Sequence, residues 1–274
     1  SGFRNLCISS NHRPIISRLR DSYKFVCNIK SFVIIKFQND ESNPIDQRTE
    51  TTQFFPATIG SMDTAKRVFL SALIPFASSV FPEFGSFDDQ EQKTIIMNFW
   101  FRFHPFEATY RADKAFPDHM DRDAGGYTTY ICGDLADFFL SDCPDAVRVE
   151  DAKKLISKTS KVSFTKNREF IARLKPHHEE FLAVIGIMFW TLESRLVSEE
   201  TIQLSDRYRH DILQELHVYY REELGMDDYA ARLGELLTLV QIFEKFEVMK
   251  EFFELLRLLD VFSDDNLAYK LIKE

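Results

Sequence analysis

Twenty-seven of the 274 residues are phenylalanine, against nine tyrosines and two tryptophans. Phenylalanine has no polar handle, so this many rings require a large dry interior or an apolar cavity. Only nine glycines and nine prolines punctuate the chain, which suits long helices better than a turn-rich sheet. With 45% hydrophobic residues, a chain of this length can bury a substantial core as one large domain.

The formal net charge of -9 argues against gripping phosphate backbones or adsorbing to an anionic membrane. The longest wholly apolar run, Phe181 to Trp190, is far short of a bilayer span, and no secretory signal opens the chain. Cys7, Cys27, Cys132 and Cys143 have no C-x-x-C spacing, so no zinc module is expected; they read as reduced, mostly buried thiols.

Ile15 to Val26 has Ile15, Ile16, Leu19 and Tyr23 near one helical face, while Ser31 to Phe37 suits a strand as well as a helix. Residues 39–52 read as a loop. From Ser61 onward the helical signal is continuous. Asp63 to Val80 carries Ala65, Val68, Phe69, Ala72, Leu73 and Phe76 at helical spacing, and Phe81-Pro82-Glu83-Phe84-Gly85 breaks it. The next helix, through Ile95, Ile96, Phe99, Trp100 and Phe103, is apolar nearly all round and therefore central. Pro105 is expected to kink or end it. A turn at Asp123-Ala124-Gly125-Gly126 precedes a short strand at Tyr127 to Cys132. Helices are then expected near 149–158, 166–173, 177–196 and 198–223, followed by one capped by Asp227 reaching about Leu259, and a short terminal helix after Asp264 and Asp265.

Ordered motifs lie on this frame. Ala77-Ser78-Ser79-Val80-Phe81-Pro82-Glu83-Phe84 leads into Phe87, Glu91-Gln92, Ile95-Ile96 and Trp100. Arg209 to Tyr220 reads RHDILQELHVYY, and Tyr229 to Leu239 reads YAARLGELLTL. Together they resemble nuclear hormone receptor ligand-binding domains, with phrasing similar to the supplementary receptors of nematodes. The resemblance implies an all-α fold, a three-layer antiparallel helical sandwich with one small β-turn element. It divides the chain into an N-terminal extension or hinge with a first helix (1–54) and the ligand-binding domain (55–274), one domain in all. It implies a nuclear transcription factor domain and no enzyme or cofactor, with DNA contacted only through a separate domain not in this chain.

The resemblance also assigns residues. Trp100, Phe101, His104, Ala108, Tyr130, Ile131 and Phe253 would line a cavity for a small lipophilic ligand. Arg111 falls where retinoid-type receptors pair an arginine with a ligand carboxylate, so a fatty acid or other apolar acid fits. Lys66 and Arg67 fall where the family has small pocket residues. Glu180 and Arg209 resemble a structural acid–base pair. Ser79, Phe84, Ile95, Lys270 and Leu271 would flank a coregulator groove, with Ser79 and Lys270 standing where the family has a lysine and a glutamate. Leu233, Leu236, Leu237 and Val240 would supply a surface for homodimerisation or for pairing with another receptor.

Two other readings compete. A helical dimerisation or interaction module could fill its interior with phenylalanine and take no ligand. An HD-type metal phosphohydrolase would use His210-Asp211 with His104 or His119 and Asp227 or Asp228. Asp121-x-Asp123 lacks the glutamate of a calcium loop, and no Walker loop, dinucleotide turn or nucleophile elbow is present.

Overall fold

The computed structural model describes residues 13–38, 54–126, 128–132, 135–140, 146–193, 195–243, 254–258, 261 and 267. The longer helices among the described residues are α1 (Ile15–Gln38), α2 (Ile59–Val80), α3 (Asp89–Ala115), α4 (Leu135–Leu140), α5 (Ala146–Leu174), α6 (His178–Phe189), α7 (Glu199–Val218) and α8 (Ala230–Ile242). Strands β1 (Phe55–Pro56), β2 (Arg122–Ala124) and β3 (Thr129–Cys132) form a small sheet in the order β1-β3-β2. Phe55 pairs in parallel with Thr129, and Asp123 in antiparallel fashion with Ile131.

The helices stack in three layers. α3, α6 and α7 form the middle, α1 and α2 cover one side, and α5 and α8 the other. The apolar run read from the sequence becomes α6, where every residue from Glu180 to Phe189 is buried. Its rings interlock with those of α3: Phe99 meets Phe189 at 5.1 Å and Phe106 meets Phe181 at 5.3 Å. Phe99 and Phe103 stack at 4.8 Å. Each such ring contributes roughly 1.5–3 kcal/mol by leaving water.

Several expectations need correction. Pro105 does not end α3, which runs unbroken from Asp89 to Ala115. An internal proline costs about 3 kcal/mol. The buried Phe103, Phe106 and Tyr110 around it bury enough apolar surface to outweigh that. The segment 31–37 continues α1 as helix rather than strand, and one helix, α5, replaces the two short ones expected near 149–158 and 166–173. α6 stops at Phe189, short of Leu196, and α8 starts after Tyr229 with no side-chain cap from Asp227. Residues 244–253, where that last helix was expected to continue, lie outside the described residues.

The signature turn acts as a fastener for α7. Phe81 stacks on Phe189 at 4.8 Å and meets Tyr208 at 5.0 Å. Glu83 accepts from Arg207 Nη2 at 2.9 Å and from the Tyr208 hydroxyl. Glu91 accepts from Ser198 N at 2.9 Å and Thr201 Oγ1 at 2.8 Å, so a carboxylate sits at the α7 N-terminus, where the helix dipole favours it. α1 is fastened in the same manner: Glu215 of α7 accepts from Ile15 N at 2.6 Å and Ile16 N at 2.8 Å.

Candidate functional site

From Asn98 to Ala112, α3 is buried except at His104, Pro105, Ala108 and Arg111. Spacings of four and three place His104, Ala108 and Arg111 on one stripe, below Trp100. A central helix otherwise sealed on all sides thus leaves one side incompletely covered, along the residues assigned to the cavity.

The structure divides those residues into two groups. Trp100 is buried against Phe69 of α2 at 5.3 Å and His104 at 4.8 Å, and Phe101 is buried beside it. At the other end of the stripe, α3 meets the sheet. Tyr130, half-buried on β3, contacts Phe116 edge-on at 5.8 Å, with the Arg122 guanidinium 5.2 Å from its ring. Ile131 is buried in a small cluster with Met62. Phe253 lies outside the described residues.

Arg111 joins α3 to the sheet. Its Nε donates to Glu107 Oε1 at 2.8 Å and its Nη1 to the Gly126 carbonyl at 2.8 Å. The same Glu107 oxygen accepts from Tyr23 of α1 at 3.0 Å. Burial works against the Arg111 charge, but Glu107 beside it more than compensates, and the guanidinium is held above its ordinary pKa. The Tyr23 hydroxyl is pushed well up, first by burial and then by Glu107. Glu107 was missed in the sequence, although its i, i+4 spacing from Arg111 is the signature of a helical ion pair.

A second buried cation, Arg168 of α5, serves the backbone. It donates to the carbonyls of Ala112 at 3.0 Å, Phe116 at 2.5 Å and Arg122, closing the C-terminus of α3 onto β2. On α2, Arg67 is exposed and paired with Asp63 at 2.7 Å, while Lys66 is half-buried. Burial pulls the Lys66 pKa below its ordinary value against the opposing charge of Asp63.

The expected Glu180–Arg209 pair does not form. Glu180, fully buried, is bridged by Arg232 of α8 through Nε and Nη2, both at 2.6 Å, and accepts from Tyr220 at 2.7 Å and from His177 N at 2.7 Å. Arg209 lies on the other side of α7 and bonds Asp206 within its own helix.

At the coregulator surface, Ser79 is exposed and shares a 2.5 Å hydrogen bond with Ser22 of α1, while Phe84 and Ile95 are wholly buried. Lys270 and Leu271 lie outside the described residues. Leu267, in the terminal stretch, is helical and buried, and its N–H donates to Asp63 Oδ1 at 2.9 Å. On α8, Leu236 and Val240 face the core, while Leu233 and Leu237 are half-buried. His210 and Asp211 are both exposed on α7, and among the described residues no three His, Cys, Asp or Glu side chains gather as a metal would require. Cys27 is buried and Cys132 exposed, both as free thiols. No described helix is long and apolar enough to cross a membrane.

The family model for the ligand-binding domain of nuclear hormone receptor matches residues 50–262. The chain belongs to this family. Nuclear hormone receptors are transcription factors, and the three-layer helical arrangement of this receptor domain is the family's fold. Its relatives include three nuclear hormone receptor family members of Caenorhabditis elegans. The receptor domain is 21% identical to nhr-16 over 273 residues, 96% of this chain and 66% of that protein. It is 31% identical to nhr-22 over 102 residues, 37% of this chain and 17% of the relative. With nhr-43 the identity is 25% over 175 residues, 60% and 37% of the two chains. The receptor domain therefore spans at most about two thirds of the length of these relatives.

Proposed function

We propose that this receptor domain binds a small lipophilic molecule beside α3 and converts its presence into a change in the terminal helix, regulating transcription in the nucleus. The half-buried stripe His104, Ala108 and Arg111, on a helix that from Asn98 to Ala112 is otherwise buried except at Pro105, carries the reading. Leu267, bonded through its N–H to Asp63 of α2, is a candidate point of output: α2 also supplies Phe69 against Trp100, so one helix touches both the ligand stripe and the stretch containing Leu267. Dimerisation uses the α8 surface around Leu233 and Leu237, and DNA is contacted by a separate domain. The test is a reporter assay with the domain fused to a heterologous DNA-binding domain. A saturable response to a lipophilic compound, abolished when Ala108→Trp fills the stripe, supports the proposal. Constant output across fractionated lipid extracts would contradict it.

A second reading, a ligand-independent interaction module, is favoured by one observation. Phe69 lies within 5.3 Å of both Trp100 and Phe103, so side chains already fill much of the space between α2 and α3. Under this reading the same fusion is active or silent regardless of lipids, and the Ala108→Trp variant behaves like the parent.

A further inference from the structure

We infer that the Arg111 end of the candidate pocket takes a neutral lipophile bearing a hydroxyl, ketone or ester oxygen, not a carboxylate, and that Glu107 sets this selectivity. The inference rests on the ligand-binding reading above and specifies the ligand class for that site.

An isolated guanidinium in an apolar cavity attracts a carboxylate strongly, because nothing else neutralises it there. Arg111 is not isolated. Glu107, one turn earlier on the same face of α3, takes its Nε proton at 2.8 Å, and the Glu107 side chain is only 2% exposed. The Gly126 carbonyl takes Nη1 at 2.8 Å and fixes the guanidinium against the sheet turn. Tyr23 donates to the same Glu107 oxygen at 3.0 Å, which holds that carboxylate in place beside the guanidinium. The positive charge at the end of the stripe is therefore already balanced by a buried negative one.

A ligand carboxylate reaching Arg111 would bring a second negative charge beside Glu107 where water screens little. Two carboxylates sharing one buried cation repel, and one of them must take up a proton or leave. A neutral oxygen acceptor adds no charge and can share the guanidinium with Glu107. The other nearby cations do not relieve this. Arg168 gives Nη1 and Nη2 to three backbone carbonyls and its charge is faced by Asp123, Asp113 and Asp121, while Arg122 lies over the rings of Phe116 and Tyr130.

The experiment measures affinities of laurate, methyl laurate and dodecanol for the full chain by displacement of an environment-sensitive fluorophore. It compares wild type, Glu107→Gln, and the charge-free double variant Glu107→Gln with Arg111→Gln. Comparing ratios between proteins cancels the different hydrophobicity of the probes. Glu107→Gln should raise laurate affinity relative to methyl laurate by about tenfold, because it frees the guanidinium charge. The double variant should keep the wild-type ratio to within about threefold, since it removes both charges together. An unchanged ratio in folded Glu107→Gln, or a selective loss of laurate in the double variant, would overturn the inference while leaving the ligand site intact. Failure of all three probes to bind any of the proteins would overturn the ligand-binding reading, and this inference with it.

Discussion

Arg232 of α8 grips both carboxylate oxygens of Glu180 at the start of α6, with Nε and Nη2 each 2.6 Å away, and so ties the layer containing α8 to the middle of the domain. Tyr220 and the His177 N–H complete the shell around that carboxylate. Removing one partner of such a pair leaves a buried charge uncompensated, typically at about 3–5 kcal/mol. Arg232→Met should therefore lower stability by several kcal/mol in denaturant unfolding, whereas Arg209→Ala, which removes an exposed contact, should cost less than about 1 kcal/mol.

The same pair predicts a pH dependence. Burial pushes the Glu180 pKa up, but Arg232, Tyr220 and the His177 N–H outweigh it and hold the carboxyl below its usual value. A group depressed in the folded state stabilises fully above its unfolded value, near about 4.3, and loses that contribution as pH falls through the folded value. The stability gap between wild type and Arg232→Met should thus be full above about pH 4.3 and narrow as pH falls below it, through the depressed folded value. A gap that stays constant over that range would mean that Glu180 is not the carboxylate Arg232 serves.

Much of this architecture was legible because it is written in periodicity. The apolar run Phe181 to Trp190 and the all-round apolar face of Ile95 to Phe103 each demanded a buried central helix, and α6 and α3 are those helices. What escaped the sequence depends on partners distant along the chain. Arg209 and Arg232 are both arginines on helices. Only the packing of α8 against α6 brings the second one to Glu180. Pro105 is a local helix breaker overridden by rings that meet residues some eighty positions away, such as Phe181 against Phe106. At the candidate site, the residues of the α3 stripe came from the family resemblance, and the pairing of Arg111 with Glu107 was not inferred, although Glu107 stands four residues before it.

At Gly186, side chains of α1 and α7 press against the backbone of α6. A methyl group there would sit 2.7 Å from Ile212 Cδ1 of α7 and 2.9 Å from Leu19 Cδ1 of α1. Overpacking of this kind costs about 1–3 kcal/mol when neighbours cannot move. Gly186→Ala should lower the unfolding midpoint, and pairing it with Ile212→Val should restore part of the loss. A neutral or stabilising Gly186→Ala would show that α1 and α7 can yield at this point.

On α8, Leu236 and Val240 are buried in the core, while Leu233 and Leu237 pack against it and remain half-buried. If α8 pairs receptor domains, Leu233→Glu with Leu237→Glu should abolish concentration-dependent association in sedimentation while preserving the helical circular dichroism of wild type. Leu236→Glu should instead unfold the domain, because it buries a charge in the core. A wild-type domain that sediments as a monomer at every concentration, alone and with other receptor domains, would contradict the role given to this face.

Coactivator helices of the Leu-x-x-Leu-Leu type should bind weakly. If Ser79 and Lys270 hold the positions that the family resemblance assigns them, the peptide's free carbonyls meet no lysine at Ser79, whose hydroxyl is engaged by Ser22, and a lysine stands where a helix N-terminus favours an acid. Each dipole contact is worth about 0.3–1 kcal/mol. Lys270→Glu combined with Ser79→Lys should tighten a labelled peptide several-fold. Tight wild-type binding that the double change fails to improve would remove this argument.

The central claim is that occupancy beside α3 and the state of the terminal helix are coupled through α2. Hydrogen–deuterium exchange on the full chain, with and without saturating dodecanol, measures both ends at once. The account predicts slower exchange in peptides covering residues 100–111 and 129–132 together with a change in the peptide containing Leu267, and loss of the second effect alone in Asp63→Ala. Protection confined to the terminal peptide, or no change at either end despite measured binding, would contradict it.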